Sequence, residues 1–371
     1  MINGDRVRQA REFCGLTQTD LASRVSVDQS TIALVEAGLR QPSSEMLASL
    51  AMQTGFSPAF FRQGFPPQFS VGSLLFRAQQ SVTARQRSQA QRYGEIVYES
   101  AMRMAAQVVT TNPLRLPQLD PGTTPELAAE LTRAALGLAP DRPVGPLINL
   151  IERSGVIVLA LPTHLPKRDA FSLWTQATPS TPLIALSTGV PGDRLRFSVA
   201  HELGHLVLHS ALKGGLAAVE KEADRFAAAF LLPAASMWQE LVPPLTLTML
   251  AELKPRWGVA IQALVMRAKE LEIISPNQAA YLFKQISMRG WRTSEPIRLE
   301  PEKPRAYRKM AELLYGSPID VRRLADEAAL PVGLVQDILD VHAGLEEMPR
   351  RQPEGSTNVV KFKRRPERQP E

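Results

Sequence analysis

Apolar positions between residues 5 and 53 recur with helical spacing and are separated by short polar turns. Thr17 is followed three residues later by Asp20, and Asp28 and Ser43 precede two later apolar stretches. Residues of these types begin helices. The pattern therefore predicts four short helices, over 5–13, 17–24, 28–36 and 44–53. We expect their core to contain Val7, Ala10, Leu16, Leu21, Ala22, Val27, Ile32, Val35, Leu47 and Leu50.

The pattern changes further along the chain. A long polar stretch without proline indicates a helix over 80–110, and a Pro/Gly-rich break follows over 112–125. Short apolar runs at 156–159, 171–174 and 182–186 are typical of buried strands. From about 195 to 342 the periodicity is helical again. The predicted divisions are residues 1–66, a helical linker at 67–124, an α+β domain at 125–243, a helical region at 244–345 and a basic tail at 346–371.

Composition adds few constraints. The chain has 371 residues, enough for two or three domains, and its 44% hydrophobic and 22% charged content is typical of globular proteins. We expect no membrane partner, because there is no apolar run of 18 residues. The polar N-terminus lacks the apolar core of a secretory signal, which favours a cytoplasmic protein. The single cysteine, Cys14, excludes an internal disulfide and a cysteine-based metal site.

The formal charge of +6 does not by itself indicate a nucleic-acid partner. Residues 349–371 contain seven Lys or Arg against three Glu, so most of the net charge lies in a Pro-rich tail. Such a composition is typical of a disordered, solvated segment.

The candidate chemistry lies in one helix. His201 and His205 are four residues apart, so they share a helical face and can bind one metal ion together. Zinc suits imidazole ligands. Glu202 follows the first histidine, where a carboxylate can act as the base that takes a proton from a water molecule activated by the metal. Three of the five histidines of the chain lie within nine residues, which disfavours a surface helix with scattered polar residues.

The third metal ligand is expected on the next helix. Glu220 and Asp224 share one face, whereas Glu222 points about 200° away from Glu220 at roughly 100° per residue. We assign Glu220 as the ligand and Asp224 as the acceptor for the outer N–H of a ligating histidine. Glu222 remains an alternative ligand. Leu208 and Ala211 do not fit the metzincin pattern, whereas Glu-x-x-x-Asp after HExxH is the layout of thermolysin-like enzymes.

The role of His209 is open at this stage. It follows His205 by four residues, so it could be a third ligand, a substrate or oxyanion contact, or a helix C-terminal residue favoured by the helix dipole. The oxyanion-stabilising residue is not identified by the sequence. His209, Tyr281 and Tyr307 are the candidates.

Two motifs in this region resemble the signature of the ImmA/IrrE family of metallopeptidases. The first runs from Arg194 to His205, with Arg-x-x-Phe-x-x-Ala-His-Glu-Leu-Gly-His, and the second from Glu220 to Pro233. The resemblance implies a zinc-dependent endopeptidase that cleaves one regulatory protein, often a repressor. It also implies zinc ligands at His201, His205 and Glu220 and a catalytic base at Glu202. Residues 286–296 are similar to a segment that follows this domain in long members.

Residues 5–61 resemble the Xre-type, lambda-repressor-like helix-turn-helix domain, which is often joined to or encoded beside this peptidase. The resemblance rests on the motifs at 15–18, 30–32 and 36–38. DNA contacts are expected from Gln18, Gln29, Ser30 and Thr31, which can reach phosphates or base edges. Residues 28–36 contain no Lys or Arg, which keeps dimerisation and recognition of a homologous repressor open.

These features predict a multidomain, mostly α protein. An all-α helix-turn-helix domain precedes an α+β thermolysin-like (gluzincin) minimal peptidase domain and a helical C-terminal region. We expect zinc as cofactor, a protein substrate such as a repressor, and DNA as a partner of residues 5–61. A homodimer is compatible with the sequence. The alternative is a DNA-binding transcriptional regulator whose metal site is sensory or non-catalytic.

Overall fold

The computed structural model describes residues 1–67, 83–110, 114–161, 169–174, 181–209, 216–342 and 362–364. The described residues form two compact units. The first draws on Met1–Thr111, Leu159–Arg168 and Pro304–Glu371, and the second on Asn112–Val158 and Asp169–Lys303. The predicted multidomain, mostly α fold is confirmed. Within these ranges no helix combines the length and apolarity needed to span a bilayer.

The first four helices are α1 (Gly4–Phe13), α2 (Gln18–Arg24), α3 (Gln29–Glu36) and α4 (Ser44–Thr54). The later elements, in chain order, are a 3-10 turn at Phe60–Arg62, α5 (Ala84–Ala105), β1 (Val108–Thr110), α6 (Pro125–Ala135), α7 (Leu147–Arg153), β2 (Ile157–Leu161), β3 (Ala170–Trp174), β4 (Pro182–Ser187), α8 (Gly192–Leu208), α9 (Leu216–Leu231), α10 (Ala234–Glu240), α11 (Leu247–Trp257), α12 (Ile261–Glu270), α13 (Pro276–Met288), α14 (Ala306–Tyr315), α15 (Val321–Ala328), α16 (Val332–Asp340) and β5 (Phe362–Arg364).

Local capping explains the starts of the N-terminal helices. The hydroxyl of Thr17 accepts a hydrogen bond from the Asp20 N–H, and the Asp20 carboxylate accepts one from the Thr17 N–H, which together begin α2. At the start of α4 the hydroxyl of Ser43 accepts a single hydrogen bond of 3.1 Å, from the Met46 N–H. Asp28 occupies the N-cap position of α3, but its side chain makes no capping hydrogen bond. The expectation that Asp28 caps this helix is therefore correct in position only.

The core of the N-terminal domain is close to the predicted set. Val27 and Leu47 are half-buried. The remaining predicted core residues are buried, namely Val7, Ala10, Leu16, Leu21, Ala22, Ile32, Val35 and Leu50.

Helix α5 packs beside α1 through buried ionic contacts. The guanidinium of Arg6 donates to both carboxylate oxygens of Glu99, at 2.7 and 2.8 Å, and the amide of Gln9 donates to Glu95 at 3.0 Å. Arg6, Gln9 and Glu95 are all buried. Strand β1 pairs antiparallel with β5, the part of the predicted tail that the structure describes.

Most of the predicted peptidase region, residues 125–158 and 169–243, lies in the second unit. The strands form a three-stranded sheet of order β2-β4-β3, in which β3 and β4 are antiparallel and Ser172 pairs with Ile184. Helices α8 and α9 pack against each other at a glycine contact. A Cβ atom at Gly204 would lie only 2.9 Å from Cδ1 of the buried Phe226. The missing side chain therefore permits the close approach of the two helices.

Buried ionic contacts fix the N-terminal end of α8. The ammonium group of Lys254, on α11, is buried and contacts the carboxylates of Asp193 and Glu295. The Gly192 N–H donates to the Leu299 carbonyl at 3.0 Å. These contacts fix the N-terminal end of α8 against α11 and against the segment that contains Glu295 and Leu299.

Candidate functional site

The candidate metal centre is built on the two packed helices α8 and α9. Leu195, Val199, Leu203 and Leu206 face the core of this unit, which leaves the opposite face of α8 for polar residues. Their spacing is that of an amphipathic helix.

Three predicted ligands converge on one point. Nε2 of His201 lies 3.0 Å from Nε2 of His205 and 3.4 Å from Oε2 of Glu220. Nε2 of His205 lies 3.7 Å from Oε1 of Glu220. One ligand atom from each residue lies within 4.8 Å of the other two. Tetrahedral zinc with bonds of about 2.0–2.1 Å needs donor atoms roughly 3.3 Å apart, so this donor set fits zinc.

The electrostatic environment favours a positive charge at His201. Burial lowers the pKa of His201, but hydrogen bonds to Asp224 and Glu220 and the nearby charge of Glu202 outweigh it and raise the pKa from 6.5 to about 10. Carboxylates that stabilise a proton on an imidazole in this way also stabilise a bound cation.

Asp224 lies where an orienting acceptor is needed. Its Oδ1 atom is 2.8 Å from Nδ1 of His201, on the side of the ring opposite the convergence point. An acceptor there places the ring proton on Nδ1 and leaves the lone pair of Nε2 for a metal.

Glu202 has a partner that the sequence analysis missed. Its Oε2 atom accepts a hydrogen bond of 2.6 Å from the hydroxyl of Ser172 on β3, and both residues are buried. Two residues further on, the indole N–H of Trp174 donates to the Leu206 carbonyl at 3.2 Å. Strand β3 is thus held to α8 at two points. A lone serine within the apolar run Ala-Phe-Ser-Leu-Trp was the available signal.

Glu222 and His209 form a separate contact beside the convergence point. Nε2 of His209 lies 2.9 Å from Oε2 of Glu222, and Nδ1 of His209 lies 3.1 Å from Nδ1 of His205. Glu222 therefore does not join the three-residue group, which favours Glu220 as the acidic ligand. Both ring nitrogens of His209 are engaged, which disfavours its roles as a ligand or an oxyanion contact.

The two tyrosine candidates for oxyanion stabilisation differ in exposure. Tyr307 is completely buried, and its hydroxyl lies 2.8 Å from the hydroxyl of Ser100. Burial raises the pKa of Tyr307 to about 12. A hydroxyl enclosed in this way does not contact a substrate. Tyr281 is exposed on α13.

The predicted DNA-contacting residues lie on one polar surface of the N-terminal domain. The amide of Gln29 donates to Gln18 at 2.7 Å, and Gln18 donates to the buried Glu36 at 2.8 Å. Thr31 accepts a hydrogen bond from Arg40 at 3.3 Å, and Ser30 is exposed. Arg40 therefore adds a cation next to α3, which itself has no Lys or Arg.

Comparisons with known proteins locate two domains. Residues 151–269 match the Peptidase_M78 family, described as the IrrE N-terminal-like domain. Residues 4–60 match HTH_31, a helix-turn-helix domain. No match was found among curated proteins.

The similar solved structures include the crystal structure of Bacillus thuringiensis PlcR in complex with the peptide PapR7 and DNA. The similarity has 12% sequence identity and a TM-score of 0.15, and it covers 78% of this chain and 97% of that chain. A TM-score this low does not indicate a common fold. The two family matches concern separate segments of the chain: residues 4–60 are similar to a helix-turn-helix domain, and residues 151–269 are similar to the IrrE-like Peptidase_M78 domain.

Proposed function

We propose that this protein is a zinc-dependent endopeptidase that cleaves a specific regulatory protein, such as a transcriptional repressor. The observation that carries the proposal is the convergence of His201, His205 and Glu220 on one point. The buried Glu202 lies on α8, the helix that also carries the two histidines. A purely structural metal site requires its ligands, but it does not require an additional carboxylate beside them.

Four of these residues have roles in binding the metal. His201, His205 and Glu220 would hold the metal, and Asp224 orients the ring of His201. A zinc ion in such a site supplies Lewis-acid chemistry, which polarises a scissile carbonyl and makes water more acidic.

Glu202 is the proton carrier in this proposal. The hydrogen bond from Ser172 fixes the orientation of its carboxylate. Glu202 takes a proton from the attacking water and delivers it to the leaving amine. Because the residue is buried, this transfer takes place away from bulk solvent.

The sheet offers a means of binding an extended peptide. In the described part of the chain β3 is the last strand of the order β2-β4-β3, and it is held to α8 through Ser172 and Trp174. An extended substrate can add to such a strand through backbone hydrogen bonds. A peptide bound in this way would run beside the helix that carries Glu202.

The helix-turn-helix domain supports a role in recognition. We propose that its polar surface around Gln18, Gln29, Ser30 and Thr31 binds either an operator or the repressor that occupies it. Arg40 beside α3 favours contact with a phosphate. The absence of Lys and Arg from α3 itself keeps a protein partner as the alternative for this surface.

The proteolytic part of the proposal is tested by Glu202→Gln. An extract of the source cells is treated with wild-type protein or with the variant, and newly formed N-termini are identified by mass spectrometry. We expect a small set of new N-termini in the wild-type sample alone, with equal zinc content in the two proteins. Identical cleavage by both proteins would contradict the role of Glu202. No new N-termini with either protein would favour a regulator that binds without cleaving.

The recognition part is tested by Ser30→Glu in the full chain. An added carboxylate on this exposed position should weaken binding to operator DNA, and DNA affinity of the wild type should fall steeply with salt. Unchanged DNA binding in the variant would exclude this surface as the DNA contact.

A further inference from the structure

His209 lies at the C-terminal end of α8, between a predicted metal ligand and an acidic side chain. Its Nδ1 atom is 3.1 Å from Nδ1 of His205, and its Nε2 atom is 2.9 Å from Oε2 of Glu222. The His209 side chain is 9% exposed, whereas the Glu222 side chain is 51% exposed. The ring therefore links a buried histidine to a solvent-accessible carboxylate.

The direction of these hydrogen bonds follows from the metal site. Nε2 of His205 faces the convergence point, so a metal there requires the lone pair of Nε2 and leaves the ring proton on Nδ1. Nδ1–H of His205 then donates to Nδ1 of His209. The proton of His209 is consequently on Nε2, from which it donates to Glu222. One tautomer of each histidine satisfies both contacts.

We propose that His209 and Glu222 form a positioning pair that fixes the ring orientation and tautomer of His205 for metal binding. This inference rests on the proposed function, because it assumes a metal at the convergence point. Asp224 serves His201 in the same manner, directly through a carboxylate. The two ligating histidines thus have different supports: a carboxylate for one, and a histidine backed by a carboxylate for the other.

Two other roles for His209 account less well for the geometry. As a metal ligand it would have to direct a ring nitrogen to the convergence point, but its nitrogens face His205 and Glu222. As a helix C-terminal residue favoured only by the dipole, it would need neither contact. The positioning role accounts for both contacts of the His209 ring, with His205 and with Glu222.

The test measures zinc affinity of the full-length protein by competition with a chromophoric chelator. Partners that orient a ligand typically change metal affinity by about 10–100-fold, so His209→Leu should weaken zinc binding by that factor. His209→Asn should restore affinity to within about threefold of wild type, because its side-chain oxygen can take the place of Nδ1 as acceptor. Glu222→Ala should have a smaller effect than His209→Leu, since it removes only the outer partner.

Two controls separate this role from others. Lys221→Gln changes an exposed neighbour of Glu222 on the same helix and should leave zinc affinity unchanged. The visible spectrum of the cobalt-substituted protein should be the same for wild type and His209→Asn, because the ligands themselves are retained. A changed cobalt spectrum in His209→Asn would overturn the proposal in favour of direct ligation.

The outcomes distinguish the inference from the proposed function. Tight zinc binding by the wild type with equal affinity in His209→Leu overturns the positioning role and leaves the metal site intact. Equal losses in His209→Leu and His209→Asn also overturn it, because the acceptor would then be irrelevant. No zinc binding by the wild type would contradict the proposed function itself.

Discussion

Replacement of Gly204 by alanine tests whether the packing of two helices creates the metal centre. Gly204 lies on α8 between His201 and His205. An added Cβ atom would lie 2.9, 3.1 and 3.2 Å from Cδ1, Cγ and Cβ of Phe226. Carbon atoms in favourable contact are about 3.5–4.0 Å apart, so α8 and α9 would have to separate by roughly 0.5 Å or more.

The neighbouring side chain has little freedom to relieve this contact. Phe226 is fully buried, and its ring stacks on Phe230 with centroids 5.8 Å apart and an interplanar angle of 9°. Rotating the ring would not move the Phe226 Cβ atom. Overpacking of this kind costs about 1–3 kcal/mol, against a gain of about 1 kcal/mol from the higher helix propensity of alanine. The expected result is a net loss of up to about 2 kcal/mol in the free energy of unfolding.

Gly333→Ala is the matched control. Gly333 is also helical, in α16, but no atom lies within 4 Å of an added Cβ apart from its chain neighbours and the backbone of its own helix. This variant should be unchanged or stabilised by up to about 1 kcal/mol. Denaturant unfolding of the metal-free proteins measures both changes, followed by zinc titration. Gly204→Ala should also bind zinc more weakly than the wild type, because Glu220 moves away from the two histidines. Equal stability of the two variants, with unchanged zinc affinity, would refute this reasoning.

Three further predictions concern Ser172, His342 and the effect of zinc on stability. Ser172→Ala removes the hydrogen bond to Glu202 and should lower kcat by about tenfold or more without changing zinc stoichiometry, whereas Ser172→Thr, which keeps the hydroxyl, should retain more activity. Burial lowers the pKa of His342 to about 4, and its ring accepts from the Ala160 N–H and bonds to the Ile338 carbonyl. In the unfolded chain the imidazole of His342 binds a proton below about pH 6.5, whereas in the folded protein it stays neutral down to about pH 4. The contribution of His342 to stability is therefore complete above about pH 6.5 and is lost as the pH falls toward 4. Between pH 7 and pH 5 we expect His342 to account for about 2 kcal/mol, measured as the difference in pH dependence between wild type and His342→Leu. Removal of zinc by a chelator should lower the Tm, because an ion that binds the folded protein more tightly than the unfolded chain stabilises the fold. A Tm that does not depend on zinc would contradict zinc binding to the folded protein.

The sequence predicts elements that depend on local signals. The start of α2 follows from Thr17 and Asp20, and the start of α4 from Ser43, because each cap bonds to a backbone N–H only a few residues away. The faces of α8 and α9 follow equally from helical spacing. These local patterns place His201 and His205 on one face of α8 and Glu220 on one face of α9.

The contacts missed from the sequence depend on tertiary structure. The hydroxyl of Ser172 reaches Glu202 only because β3 packs on α8, and no spacing along the chain encodes that approach. The pairing of His209 with Glu222 likewise depends on how closely α8 and α9 pack. Helical spacing alone leaves Glu222 as an alternative ligand. In the structure the Glu222 carboxylate contacts His209 instead of the point where His201, His205 and Glu220 converge.

Zinc content per chain tests the central claim most directly. Purified wild type, Glu220→Ala and Glu222→Ala are saturated with zinc, freed of excess metal and measured by elemental analysis. The account predicts about one zinc per chain in the wild type and Glu222→Ala, and its loss in Glu220→Ala, because Glu220 is the carboxylate that joins His201 and His205 among the residues that the structure describes. A wild type without zinc, or zinc retained in Glu220→Ala but lost in Glu222→Ala, would contradict the account.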